Sequence, residues 1–315
     1  MGASETVIEV VVNKSWEFEP FFNAMTNKKL KPEGFPLPDV VNNPEQAQVM
    51  YEPRAVYNGF KNFTVVLRCI ENMMDPEKNP SCSEAKMEYM PDIIAGDNPA
   101  MVISVSTAES TPDTQPGGDE SVNGSVYIGG NFFMFDARQY NPEQPSPSQL
   151  EVIPWQNDSV PTGIYKMVDA QFQSTVIPKF IPSAFSRAGD MYCIADKTFV
   201  SIGVVNIVDY AGYSQGDPAA VNDYNLNYAA KTGCIPASIE TTHGIVKMAV
   251  NKAMPGMYIP TLFVSPITDR YEHFDDDVDK NGVQNYVTAF NAGIVVAELI
   301  KRIDDFLDTG MPLWH

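Results

Sequence analysis

The sequence predicts an α/β protein: a single-domain, three-layer sandwich with a central mixed β-sheet flanked by helices. Two observations predict it. Short β-branched runs (Thr6–Val12, Asn62–Cys69, Ala100–Ser106, Ile259–Ser265) alternate along the chain with segments of helical spacing, and such alternation argues for a sheet covered on both faces. No linker-like stretch separates two periodic halves, so the 315 residues read as one domain, 1–315. Its loop insertions fall at about 27–56, 140–160 and 209–228, where Pro, Asn, Gln, Ser and Tyr accumulate.

Thr6–Val12 reads as the first strand and Trp16–Met25 as the helix after it. Asn62–Cys69 is a buried strand, Ser83–Ile94 has helical spacing, and Ala100–Ser106 is another central strand. Gly124–Phe135 carries strand signals, with Gly129-Gly130 as a bulge or turn. Met191–Val208 holds two short apolar runs around Asp196-Lys197, a hairpin or a kinked strand. Ser238–Asn251 reads as a helix and Ile259–Ser265 as a strand. The clearest helix is Asn285–Leu307, where Val287, Phe290, Ile294, Val295, Leu299, Ile300 and Ile303 make a broad apolar stripe.

Composition narrows the function classes. The chain is 44% hydrophobic, 11% aromatic and 19% charged, as in globular proteins, and its 25 prolines predict ordered, extended loops. A net charge of −19 repels phosphate backbones and argues against a nucleic-acid partner. No run of eighteen apolar residues occurs, so neither a membrane span nor a membrane partner is expected. The chain opens directly into a strand, which favours a cytoplasmic protein; a secreted or periplasmic one requires a leader already removed. Met1-Gly2-Ala3-Ser4-Glu5-Thr6 fits the loose myristoylation pattern and equally an ordinary start. Asn13, Asn62, Asn123 and Asn157 stand in glycosylation sequons. The four cysteines show no metal spacing; free buried thiols are expected, with Cys69–Cys82 the best disulfide candidate. Three histidines are too few for a His-rich metal site. Asp277-x-Asp279-x-Asn281-Gly282 opens like a calcium loop, but its twelfth position is Thr288, so a solvated acidic loop is the better reading and no metal is expected.

The chemistry concentrates in Ala237–Arg270. Glu240 lies in a small-residue, helix-like run, and Asp269 follows an apolar strand about thirty residues on. A helix with an inward Glu, then a strand presenting Asp at its carboxyl end, is how an open α/β sheet builds a ligand crevice. The plainer readings are a solvated helix-face Glu240, an Asp269 that caps the next segment or pairs with Arg270, and a core His243.

The order of these elements resembles the nucleoside phosphorylase / methylthioadenosine nucleosidase superfamily, in a divergent form. Ile239-Glu240 sits where that family has Met-Glu, and Thr268-Asp269 where it has Ser-Asp after a strand. Asn291-Ala292-Gly293-Ile294-Val295-Val296-Ala297-Glu298 is similar to its last helix. The resemblance implies that Glu240, beside Ile239, grips the ribose 2′- and 3′-hydroxyls. It implies that Asp269 protonates N7 of the departing purine. It also implies that the loop after the first strand supplies an acid that activates water; Glu19 is the first choice there and Glu17 the reserve. Thr107 matches the family's hydroxyl position. Val205 and Asn206 fall where the family lines the purine, with Tyr210 or Tyr213 standing in for an aromatic ring.

The departures are informative. Glu109 and Ser110 replace the family's glycines after the middle strand, and a carboxylate there opposes phosphate. No Gly-Arg phosphate clamp follows the first strand; Arg68 and Arg54 are the only basic residues near the expected site. Hydrolysis of a purine nucleoside is therefore expected over phosphorolysis, with no cofactor and phosphate the one candidate co-substrate. The alternative is a non-catalytic nucleoside-binding or storage-type relative. The resemblance also implies a homo-oligomer, a dimer or a trimer-based assembly.

Overall fold

A computed structural model describes residues 6–26, 54–57, 60–75, 77, 83–110, 123–129, 131–136, 167–180, 193–194, 203–208, 238–240, 242–270 and 283–310. The strands are β1 (Val7–Val12), β2 (Arg54–Tyr57), β3 (Thr64–Cys69), β4 (Met101–Val105), β5 (Ala108–Ser110), β6 (Val126–Gly129), β7 (Asn131–Asp136), β8 (Cys193–Ile194), β9 (Gly203–Val208), β10 (Ser238–Glu240) and β11 (Thr261–Asp269). The helices are α1 (Ser15–Thr26), α2 (Ser83–Asp97), α3 (Ala170–Val176), α4 (His243–Ala253) and α5 (Val283–Leu307).

The strands form one mixed, mostly parallel sheet in the order β2-β3-β1-β4-β11-β5-β10-β9-β7, with β6 on β11 and β8 on β6. Pairing is parallel except for β2–β3, β5–β10 and β6–β11. β1 alternates between two apolar layers. Ile8, Val10 and Val12 pack with α1 and α5, while Val11 packs with α2 and α4. The sheet is thus covered on both faces, as expected.

β11 joins the two halves. Thr261–Val264 pair with β4, and the strand then runs on past Pro266 to lie beside β5. At Phe263 its ring covers Gly129 of β6 so closely that an added Cβ would sit 2.1 Å from the ring. Only glycine leaves that space.

Several expectations need correction. Ser238–Glu240 is a strand, not the first turn of a helix; the helix begins at His243. Gly124–Phe135 supplies two strands, β6 paired with β11 and β7 paired with β9, and Gly130 between them lies outside the described residues. The two apolar runs of Met191–Val208 likewise belong to separate pairings, β8 with β6 and β9 with β7 and β10. The loop proposed for 27–56 ends in strand β2, and its residues 27–53, like 140–160 and 209–228, lie outside the described residues. Cys69 is a free buried thiol, pushed up to about 12 by burial, and is not bridged to Cys82. Asn13 and Asn123 are buried, and the Asn62 amide donates to Asp304 and Asp308, so none of these three sequons presents a free amide. Asn157, Tyr210, Tyr213 and the Asp277–Gly282 acidic run lie outside the described residues. No described helix is long and apolar enough to cross a membrane.

α1 and α5 approach closely at Gly293. An added Cβ at Gly293 would lie 2.5 Å from the Phe21 carbonyl oxygen and 2.6 Å from the Ala24 Cβ. An alanine in a helix interior normally gains about 1 kcal/mol over glycine. Here G293A is expected to destabilise instead, by about 1–3 kcal/mol, because the backbone of α1 cannot yield cheaply. Chemical denaturation of the variant against wild type checks the sign.

Candidate active site

Three carboxylates stand at strand ends: Glu17 after β1, Glu240 at the end of β10, which runs antiparallel to β5, and Asp269 at the end of β11, which runs parallel to β5. All three are buried. The two residues after β4, Ser106 and Thr107, tie the first two together.

Glu17 occupies the first turn of α1 with Phe18, Phe21 and Phe22 on the core-facing side. Its Oε2 accepts the Lys14 N–H at 2.8 Å, the reciprocal half of a capping box. Its Oε1 accepts the Thr107 backbone N–H at 2.7 Å and also the Thr107 hydroxyl. Burial pushes its pKa up to about 7; the donations from Thr107 and Lys14 hold it from rising further. Glu19, the first choice for the base, faces solvent. Two residues along a helix turn the side chain through about 200°, so Glu17 and Glu19 cannot both point inward. Glu17 is the buried one of the two.

Glu240 caps α4. Its carboxylate accepts the Thr242 backbone N–H at 2.5 Å and the His243 backbone N–H. The Ser106 hydroxyl is a further partner, and the Asn13 amide donates to Ser106 Oγ at 3.2 Å. Burial again dominates and raises the pKa to about 7, against the donors and the charge of Lys86. The helix start adds a favourable field for an anion. The expected helical Glu240 thus sits at a strand end, in front of the helix.

Asp269 closes the nine-residue β11. The Thr268 hydroxyl contacts both the Asp269 carboxyl and the Ala108 carbonyl oxygen, the latter at 3.1 Å, and Gln284 Nε2 donates to the Thr268 carbonyl at 2.9 Å. Glu109 of β5 stands in register with Asp269 on one side and Ile239 on the other. The residue that replaces a family glycine therefore stands between β10 and β11. Val205 and Asn206 of β9 are the register partners of Ile239 and Glu240.

Two expected substrate contacts are otherwise engaged. Arg68 Nε lies 2.6 Å from Asp97 Oδ2 and 3.7 Å from Glu9 Oε1, deep against α2, so this guanidinium neutralises buried acids and is no anion clamp. The Thr107 hydroxyl is spent on Glu17. No cluster of three metal-ligating side chains occurs among the described residues.

Sequence reasoning overlooked a buried polar network behind Glu240. His243 Nδ1 lies 2.8 Å from Ser104 Oγ on β4, and Nε2 lies 2.9 Å from Ser265 Oγ on β11. Ser238 Oγ of β10 donates to Ser265 Oγ at 3.0 Å. Burial pushes the imidazole down to about 3, so it is neutral. Its signal in the sequence was the unusual run of serines inside apolar strands.

Known proteins share this architecture. The chain superposes on 5′-methylthioadenosine nucleosidase of Arabidopsis thaliana with a TM-score of 0.54 at 12% identity, over 99% of either chain. Futalosine hydrolase of Helicobacter pylori gives 0.52 at 9% identity, covering 94% of this chain and 98% of that one. The methylthioadenosine/S-adenosylhomocysteine nucleosidase of Colwellia psychrerythraea, solved with adenine, gives 0.53 at 9% identity over 95% and 96%. No family model and no curated protein sequence matches the chain. The fold is that of the nucleosidases, at great sequence distance.

The raised carboxyls have a stability signature. Each folded pKa, about 7, exceeds the ordinary 4.5. Below 4.5 both folded and unfolded chains are protonated and the fold keeps its full stability. As pH rises toward 7 only the unfolded chain ionises readily, so stability falls, and above 7 the loss levels off. Each group is worth on the order of 3 kcal/mol across that window. E17Q is expected to gain on wild type steadily between pH 5 and 7.5; melting temperatures of both across that range measure it.

Proposed function

We propose that this chain cleaves the N-glycosidic bond of a purine nucleoside, with water as acceptor. The observation that carries the reading is the joining of two buried carboxyls, Glu17 and Glu240, through Ser106-Thr107, with Asp269 at the end of the next strand. A purine fits the adenine held by a structural neighbour.

Glu17 is the base. A carboxyl with a pKa about 7 is half ionised at neutral pH, where a general base works best. Thr107 and Lys14 orient it, so a free lone pair of the ionised form is available to draw a proton from water. Glu240 grips the ribose hydroxyls, and its negative charge stabilises the oxocarbenium-like sugar of the transition state. Asp269 is the acid that protonates the leaving purine at N7. The Thr268 hydroxyl, set between the Asp269 carboxyl and the Ala108 carbonyl, holds that carboxyl against β5.

Water is favoured over phosphate on electrostatic grounds. Glu109 stands between Asp269 and Ile239 where an anion would need glycine amides, and Arg68 is held by Asp97. The departure at Glu109 also supports the second reading, a nucleoside binder without turnover.

Free base released from adenosine, inosine, guanosine and methylthioadenosine, with and without phosphate, tests the proposal. Release is expected at a rate that phosphate does not change. kcat/KM should climb with pH to a plateau above about 7 as Glu17 ionises. E17Q should lower kcat by roughly 10²–10⁴-fold. Ligand-dependent melting without release from any of the four nucleosides would establish the binder instead.

A further inference from the structure

We propose that His243 is a positioning residue that sets the ribose grip: its neutral ring bolts the first turn of α4 to strands β4 and β11, and thereby fixes the Glu240 carboxylate. The inference deepens the role proposed for Glu240 and rests on it.

The geometry is a closed set of contacts. The His243 backbone N–H donates to the Glu240 carboxylate. The same residue's ring contacts Ser104 at 2.8 Å and Ser265 at 2.9 Å, and Ser265 in turn accepts from Ser238, two residues before Glu240 on β10. One arrangement of the protons links the set. Ser238 donates to Ser265, Ser265 donates to Nε2, and Nδ1–H donates to Ser104. The ring also packs on Phe263, with centroids 5.4 Å apart, and Phe263 is pinned over Gly129. Three strands and a helix start are thus locked through one side chain that is wholly buried.

The consequence lies in where Glu240 can go. Thr242 contributes no side-chain cap to α4, and the Glu240 carboxylate takes that place. The position of Glu240 relative to Ser106 therefore depends on how firmly the first turn of α4 is seated on β4 and β11. A ring that reaches both strands seats it; an apolar side chain of similar size fills the space but leaves Ser104, Ser265 and Ser238 without their hub. Among the described residues the ring contacts Ser104, Ser265 and Phe263 and lies beside Glu240, so its effect on substrate passes through Glu240.

The test separates a positioning role from general stability. Dissociation constants are measured by calorimetry for adenosine, inosine and guanosine, each beside its 2′-deoxy counterpart, on wild type, H243L, H243N and E240A. Wild type should prefer the ribonucleoside. H243L should lose roughly tenfold or more in affinity for the ribonucleoside and under threefold for the 2′-deoxynucleoside, so that the preference collapses. H243N, which keeps a polar group within reach of Ser104, should recover part of the preference. In base-release assays the same loss should fall on KM, with kcat changed much less. If H243L fails to fold, S104A, which removes one of the ring's two anchors, should shift the preference in the same direction by a smaller factor. A folded H243L or S104A that weakens both nucleosides equally, or neither, overturns the proposal. If E240A abolishes the preference and H243L keeps it, His243 alone is refuted. If wild type and E240A bind both sugars alike, the grip assigned to Glu240 has failed, and the role of His243 falls with it.

Discussion

Burying a carboxylate is the constraint on which this architecture turns. An isolated buried charge is far too costly to persist, so the fold must supply donors or leave the group protonated. Glu17 and Glu240 obtain both remedies from the same device. Each sits at the start of a helix, where backbone N–H groups are unpaired by construction, and each takes two of its donors from the backbone. The donors are rigid and neutral, so they orient the carboxyls without quenching their basicity.

The sheet explains why Glu17 meets the residues that follow β4. β1 and β4 are adjacent and parallel, so the turn after β1 that leads into α1 and the residues after β4 emerge at the same edge. β11 pairs beyond them, and its length decides the third position. A strand matched to β4 would stop near Val264; the extra residues through Asp269 carry the chain past the end of β4 and onto β5. Parallel order places carboxyl ends together, and strand length then sets how far each side chain stands from the edge.

Much of this was legible in the sequence. β1, α1, β3, α2, β4 and α5 follow from β-branched runs and apolar stripes, and they fix the order of layers. β10 was not legible, because three residues carry no period and Ser238-Ile239-Glu240 runs almost directly into a true helical pattern. The choice between Glu17 and Glu19 was available and missed: Glu17 lies four residues before Phe21, on the apolar face, and Glu19 does not. Arg68 could not have been read, since its partners Glu9 and Asp97 are distant in sequence and only the sheet and α2 bring them together. Ser104 and Ser265 were visible as hydroxyls inside apolar strands, but their meaning depends on His243, which tertiary packing alone places between them.

The neutrality of His243 completes the electrostatics of the crevice. Its Nδ1 lies 3.9 Å from Glu240 Oε1, close enough that an imidazolium would draw the carboxyl pKa strongly down. Burial keeps the ring uncharged, and Glu240 stays near the midpoint of its titration instead. A carboxyl poised there responds to any new donor. On the proposed reading, two ribose hydroxyls entering the crevice would supply such donors, shift Glu240 toward its anion and strengthen the grip they depend on. Binding and ionisation would then be a single linked event, and the anion would be most developed just when positive charge forms on the sugar.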